Sequence, residues 1–256
     1  MILAVLQART SSSRLPGKVL KPILGMPMLL RQIERINRAK KIDKLIVATS
    51  NHESDDKLAE VCFENNIECF RGSLNDVLDR FYQAAKLYEP EHLVRLTGDC
   101  PLADPAVIDR VITTHVAGNY DYTSNTIEPT YPDGLDVEVF RTSCLDYAWR
   151  EATLSSQREH VTLFIYQHPE LFSLGSVKHA EDLSSLRWTV DEPSDFILVN
   201  HIYENLYPHD PAFTTDSILE YLQCHEQLKN INSQFRRNEG LEKSLQKDYL
   251  EETERG

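Results

Sequence analysis

Apolar residues along this chain fall into short unbroken runs that alternate with helical stripes. Ile2 to Leu6 is a continuous apolar run closed by polar residues, which predicts a strand covered on both faces in a parallel sheet. Leu29, Ile33 and Ile36, with Leu30 beside them, then recur at helical spacing. Leu45 to Ala48 predicts a second strand, and Leu58, Val61 and Cys62 the inward stripe of a second helix. Ile67 to Phe70 predicts a third strand, Val77, Phe81, Ala84 and Tyr88 a helix, and His92 to Leu96 a fourth strand. Asp104 before Pro105 reads as an N-cap and first helical position, with Val107, Ile108, Val111 and Ile112 on one face. Repeated strand-then-helix units predict an α/β fold with a doubly wound, mostly parallel, Rossmann-like sheet. Ligands of such sheets sit outside the carboxyl ends of the strands.

The second half is less regular. Tyr120 to Ser124, Leu135 to Phe140, Phe172 to Val177 and Arg187 to Val190 predict strands, separated by Pro/Gly turns and by helices near 142 to 152 and 157 to 167. This part is expected to extend the sheet and to add a small β-containing lobe over about residues 120 to 180. A helix from Pro193 carries Phe196, Val199, Tyr203 and Leu206 on one side. From Arg236 to Gly256 the chain is almost entirely polar and charged, so a frayed or disordered tail is expected behind one domain of residues 1 to 235.

Composition narrows the partners. The 256 residues suffice for one large α/β unit, and 27 basic against 40 acidic residues give a formal charge of -13. That balance argues against nucleic acid or an anionic membrane surface as partner. No stretch approaches the length of a spanning helix, and the opening order of apolar then basic residues is wrong for a signal peptide. Cys62, Cys69, Cys100, Cys144 and Cys224 form no CxxC pair, which fits buried thiols in a reducing, cytoplasmic setting.

Against an acidic chain, basic residues gathered in one loop are informative. Gln7-Ala8-Arg9-Thr10-Ser11-Ser12-Ser13-Arg14-Leu15-Pro16-Gly17-Lys18 brings three cations, four hydroxyls and a glycine to the crevice end of the first strand. Such a loop can surround a triphosphate with backbone N–H groups and fixed positive charge. A mobile surface loop with solvated cations is the bland alternative. The GxxxxGK[ST] spacing of a P-loop is absent.

That loop, extended as ARTSSSRLPGKVLKPILGMPML, is followed in order by GSLNDVLDRF at 72 to 81, RLTGDCPL at 95 to 102, YPDGLDVEVF at 131 to 140, REHVT at 158 to 162 and RWTVDEPSDF at 187 to 196. The set resembles the cytidylyltransferases that make CMP-Kdo and CMP-sialic acid, and most closely their spore-coat polysaccharide branch. Several blocks in order over roughly residues 1 to 207 are far more specific than any one of them. The resemblance implies a nucleotide-diphospho-sugar transferase-like fold, a small dimerisation lobe, a homodimer, CTP as nucleotide and an acidic sugar-like acceptor. It implies a nucleotide site of Leu6, Gln7, Ala8, Arg9, Lys18, Arg71, Asp76, Arg80, Thr97 and Gly98, with Arg9, Arg14 and Lys18 on the phosphates as catalytic cations. Asp99 and Asp191 would hold Mg²⁺, and Asp133, Glu138 and His160 would meet the acceptor, while Arg158 is a candidate clamp for an acceptor carboxylate or phosphonate because bidentate anion recognition favours Arg over Lys.

The chemistry agrees with those residue types. Displacing pyrophosphate from an α-phosphate builds negative charge that fixed cations and Mg²⁺ stabilise, and magnesium prefers one or two carboxylates with phosphate oxygens and waters. Each residue also has a structural reading. Asp99 in Thr97-Gly98-Asp99 could serve an Asx turn. Asp191 could cap the helix of Pro193, and Asp195 complement its dipole. Asp76 and Arg80 are spaced for a helical ion pair. His160 could be a core histidine, and Gly134 a turn residue before a strand on which Asp136 and Glu138 face outward. Two other functions stand beside nucleotidyl transfer: a glycosyltransferase, for which TGDCP supplies only one acid of a DxD motif, and a noncatalytic nucleotide-sugar-binding protein.

Overall fold

The computed structural model describes residues 1–255, and Gly256 lies outside them. The first strand, β1 (Ile2–Gln7), is followed by a small ribbon of β2 (Pro22–Ile23) and β3 (Met26–Pro27), then α1 (Met28–Ile36), β4 (Lys44–Ser50), α2 (Asp56–Glu64), β5 (Cys69–Gly72), α3 (Val77–Lys86), β6 (His92–Thr97) and α4 (Pro105–Gly118). Next come β7 (Tyr122–Ser124), β8 (Glu138–Arg141), α5 (Thr142–Glu151), α6 (Ser155–Glu159), α7 (Leu163–Gln167) and β9 (Leu174–Ser176). The chain closes with α8 (Pro193–Leu206), α9 (Thr215–Cys224) and α10 (Glu239–Arg255). Among the described residues the main sheet has seven strands in the order β5-β4-β1-β6-β8-β7-β9. It is parallel throughout except at β8, which runs antiparallel to β6 and β7.

Strand alternation makes the sheet doubly wound. Ala4 and Leu6 of β1 enter one core with Leu29 and Ile33 of α1, Ile108 and Val111 of α4 and Leu198 and Val199 of α8. Leu3 and Val5 enter the other with Phe81 of α3, Leu145 of α5 and Ile165 of α7. Because β4 and β6 lie on opposite sides of β1, the chain reverses direction there, and the crevice opens beyond Gln7 and Thr97. Asp104 caps α4 by accepting from the Ala106 amide, as expected of the Asp-Pro pair.

Several expectations need correction. The strand placed at Leu135 to Phe140 begins only at Glu138, because the Asn125 side chain bonds Leu135 O and Val137 N and takes the place of a ladder. Arg187 to Val190 is no strand: Arg187 makes one isolated bridge with Asp133, while Val190 N turns to Asp99 O. The helix expected near 157 to 167 breaks into α6 and α7 at His160, whose φ of -103° and ψ of 48° leave the helical region. Cys62, Cys100 and Cys144 are buried free thiols, but Cys69 is half-buried and Cys224 exposed.

The largest correction is the charged tail. Residues 239–255 form α10 and pack on α6. Its hold is polar: buried Asp248 accepts from the Ser156 amide, and Ser244 bonds Glu159 and His160. Among the described residues no helix is long and apolar enough to cross a membrane.

His115 of α4 is fully buried against His92 Nδ1 at 3.1 Å and Thr123 Oγ1 at 3.0 Å. Burial first, then His92 and Arg141, push its pKa down to about 4, and His92 is lowered by burial too. A histidine depressed on folding contributes stability that is complete above its unfolded pKa and is lost as pH falls toward the folded one. We expect the unfolding free energy from denaturant titration to fall between pH 7 and pH 4.5 by on the order of 2 kcal/mol more in the wild type than in His115→Gln. Equal slopes would show that His115 does not carry this linkage.

Candidate functional site

The loop after β1 is pinned before it is charged. Buried Asp55 accepts from the Thr10 amide at 2.7 Å, Thr10 Oγ1 at 2.8 Å and the Ser50 amide at 3.2 Å, and from Ser50 Oγ. Burial would raise that carboxyl's pKa, but the Ser50 and Thr10 bonds outweigh it and hold it below the usual range. Gly17 turns the chain back at a φ of +68°, its amide bonding Thr10 O. The amides of Ser11, Ser13 and Arg14 donate to nothing among the described residues, so three backbone N–H groups are left for a ligand.

At the far end of the loop Lys18 is buried, and its Nζ lies 3.1 Å from Asp99 Oδ2, 2.7 Å from Asp191 Oδ1 and 2.8 Å from Val190 O. Burial opposes its charge, but the two carboxylates outweigh burial and raise its pKa. Asp99 is driven down to about 2, its burial outweighed by Lys18 and Thr97. Asp191 Oδ2 also receives Arg14 at 2.9 Å and Arg187 at 3.3 Å. The predicted residues Arg14, Lys18, Asp99 and Asp191 therefore meet in space. Asp191 caps nothing, since the N-cap of α8 is Glu192. Asp195 is structural as expected: it is buried, and accepts from the amides of Asp191 and Glu192 and from Arg187.

Gly98 permits this closeness. A Cβ there would stand 2.8 Å from Ala8 Cβ and 3.2 Å from Gln7 O, the carbonyl that its own amide bonds. Leu6 and Ala8 are core residues whose place in the sheet sets the crevice floor. Gly134, at a φ of +108°, does the same for Asp133, whose carbonyl receives the amides of Trp188 and Thr189.

Two cavities adjoin this centre. The first, about 440 Å³, is lined by Arg14, Thr97, Asp133, Glu138, His160 and Asp191 among others, and by residues 238–241 at the start of α10. Three of the four expected acceptor residues gather here. Glu138 does not face outward as expected: it is buried and accepts from Arg95, Tyr122 Oη and Thr162 Oγ1. Asp136 lines the same cavity and is bound by Arg237. Burial and the neighbouring Asp136 push Asp133 up to about 7. His160 is half-buried at the cavity wall rather than in a core, its Nε2 3.0 Å from Ser244 Oγ. Sequence reading passed over Arg95, Tyr166, Arg236 and residues 238–241, all of which line this space. Asp55 was passed over as well, and its place five residues after Ser50, at a strand end, was the available signal.

The second cavity is lined by Arg9, Ser73, Asp76, Arg158 and Lys247 among others. Arg158 therefore stands apart from Asp133 and Glu138, and its guanidinium grips both oxygens of Asp76. Asp76 also caps α3 by accepting from the Asp79 amide, so it makes no helical pair with Arg80. Arg80 is buried, donates through Nη1 to Ser73 O at 2.8 Å, and leaves Nε and Nη2 without acceptors. Burial first, and Arg9 next, lower its pKa to about 10. Arg71 lines neither cavity and ties Ser50 O, His52 O and Asp56 together.

Residues 3–243 match the sequence model of a family described as cytidylyltransferase. The chain is 39% identical over 241 residues to an uncharacterised protein of Methanocaldococcus jannaschii, covering 92% of this chain and 96% of that one. It is 35% identical over 210 residues to the spore coat polysaccharide biosynthesis protein SpsF of Bacillus subtilis, covering 79% and 86%. A solved cytidylyltransferase from Leptospira borgpetersenii superposes with a TM-score of 0.85 at 28% identity, covering 92% of this chain and 99% of the other.

Asp55→Ala would leave the Thr10 and Ser50 donors unpaired, at a cost of about 2–4 kcal/mol. Chemical denaturation should register that loss, with faster amide exchange over residues 10 to 18 than over β1. Unchanged exchange in the loop would remove Asp55 as its anchor.

Proposed function

The chain belongs to the cytidylyltransferase family, and on that premise we propose that this nucleotidyltransferase moves CMP from CTP to a hydroxyl of a sugar acid and releases pyrophosphate. The observation that carries the reading is the meeting of Lys18 with Asp99 and Asp191 at the reversal point of the sheet, beneath a loop with free amides.

Arg80 supports cytosine as the base. Its unpaired Nε and Nη2 form one edge of the guanidinium, two parallel donors that match the adjacent O2 and N3 acceptors of cytosine. Uracil presents a donor at N3 and would leave one of them unmet. The second cavity, whose wall includes Arg9 and the Ser73 whose carbonyl Arg80 bonds, takes the nucleoside; Arg80 itself lies behind that wall and lines neither cavity, so the base reaches its edge only once Ser73 or Arg9 moves aside. Arg9, Arg14 and the loop amides bind the phosphates, and Lys18 stands beside the departing pyrophosphate. The first cavity takes the acceptor.

Magnesium fits the donor set. Asp99 and Asp191 already flank one cation, the Lys18 ammonium, and depression of Asp99 to about 2 keeps it ionised at neutral pH. Magnesium takes one or two carboxylates and completes its shell with phosphate oxygens and water, a requirement that Asp99 and Asp191 together meet. Bound there, Mg²⁺ supplies charge to the phosphate oxygens and lowers the pKa of the attacking hydroxyl. With the hydroxyl so activated, no dedicated protein base is required. A homodimer belongs to the same reading through the resemblance of the blocks over residues 1 to 207, and free thiols fit a reducing, cytoplasmic setting.

Incubation with Mg²⁺, each of the four nucleoside triphosphates and a panel of sugar acids should release pyrophosphate from CTP alone. Asp99→Asn should lower kcat at least a hundredfold with an unchanged circular dichroism spectrum. Arg80→Lys should raise KM for CTP and narrow the preference over UTP. Release of a nucleoside diphosphate from a nucleotide sugar, with no pyrophosphate from CTP, would instead make the protein a glycosyltransferase.

A further inference from the structure

We infer that Gln32 of α1 and Tyr203 of α8 are positioning residues for the transfer: from the helical layer on one face of the sheet they clamp the turn that carries Asp99, and so set where that carboxylate stands. The inference rests on the reading of Asp99 as a magnesium ligand and names what holds it in place.

Asp99 lies just past the end of β6, where the sheet's ladder no longer fixes the chain. A segment without a ladder is placed by whatever its carbonyls find. Gln32 Nε2 donates to Thr97 O at 2.8 Å and Tyr203 Oη to Pro101 O at 2.7 Å, so the backbone is gripped two residues to either side of Asp99. Between the two grips the carbonyl of Asp99 accepts from the Val190 amide at 2.8 Å, one residue before Asp191. The two carboxylates that flank Lys18 therefore hang from backbones that are joined to each other, and the joint is held from behind by α1 and α8. Arg35 Nε, donating to Ala103 O at 2.8 Å, carries the same support to the start of α4.

Both side chains are out of keeping with a plain core. The inward face of α1 is otherwise built from Leu29, Ile33 and Ile36, yet Gln32 is fully buried among them. A buried amide is costly unless both of its ends bond, and Gln32 leaves Oε1 without a donor among the described residues. Satisfaction of Thr97 O does not explain that cost, because the Cys100 amide already reaches the same carbonyl at 3.3 Å. Tyr203 is fully buried too, with its ring edge-on to Phe213 at 5.4 Å between centroids, and its hydroxyl leaves that apolar setting to meet Pro101 O. What the two polar ends add to the packing is a fixed place for the turn. A carboxylate that shares an ion needs its backbone held in this way, since a small displacement weakens both the ion's affinity and the chemistry it supports.

The test uses the full chain. Gln32→Met keeps the length of the side chain and removes its donor, and Tyr203→Phe keeps the ring and removes the hydroxyl. Ile165→Val, in the core on the opposite face of the sheet, reports what a loss of stability does by itself. Without any ligand, amide hydrogen exchange over residues 97 to 103 should quicken about tenfold in each of the first two variants, with β4 unchanged and no such local effect in Ile165→Val. With CTP, Mg²⁺ and a sugar acid that the wild type turns over, kcat should fall and the half-saturating Mg²⁺ concentration should rise, each by about tenfold or more, while KM for CTP stays the same. A merely structural role would lower the folded fraction, and kcat with it, without moving the Mg²⁺ dependence. Unchanged exchange over residues 97 to 103 overturns the inference, and so does faster exchange with kcat and Mg²⁺ dependence no different from Ile165→Val. A wild type that releases no pyrophosphate with any sugar acid removes the transferase reading instead, and the exchange rates still decide whether Gln32 and Tyr203 order the turn around Asp99.

Discussion

One buried ammonium joins three distant parts of this chain. Lys18 comes from the loop after β1, Asp99 from the turn after β6 and Asp191 from the residues before α8, and their shared contact closes the crevice end of the sheet. Taking an ammonium out of water is costly, and the cost is met only because two carboxylates and the Val190 carbonyl receive it together. Remove the cation and two carboxylates confront each other across the same gap. The pattern continues outward with alternating sign: Arg14 and Arg187 reach Asp191, Arg187 reaches Asp133, and Arg237 reaches Asp136. The site is a lattice of charges in which most members lean on partners far away in sequence.

Local pattern made the scaffold legible. The unbroken run at β1, the 3.6-residue stripes of α1 and α4 and the Asp104-Pro105 cap all follow from forces that act within a dozen residues, and each element forms where its pattern placed it. The convergence of Lys18, Asp99 and Asp191 was reached through ordered blocks resembling a known family. No spacing rule in one chain places residues 18, 99 and 191 together.

What escaped the sequence was decided over long range. Period-two alternation says that Glu138 and Asp136 share a face but not what covers that face, and Arg95 on β6 turned it into a buried one. Asp76 and Arg80 are spaced as a helical pair, yet Arg158, 82 residues away, captures the aspartate. The charged tail carries only a thin apolar stripe, Leu241, Leu245 and Tyr249, which its composition outweighed in the sequence reading, and α10 is held by Asp248 at the start of α6 and by Ser244. Arg95 and Asp55 carry ordinary residue types at ordinary positions, and only contact reveals them.

The guanidinium edge of Arg80 has a bearing on the life of the protein as a whole. Nε and Nη2 of Arg80 are buried donors without acceptors among the described residues, and a buried donor that stays unmet destabilises a fold by on the order of 1–3 kcal/mol. Any small molecule that brings two acceptors to that edge returns the loss, and by mass action draws the population toward the native state.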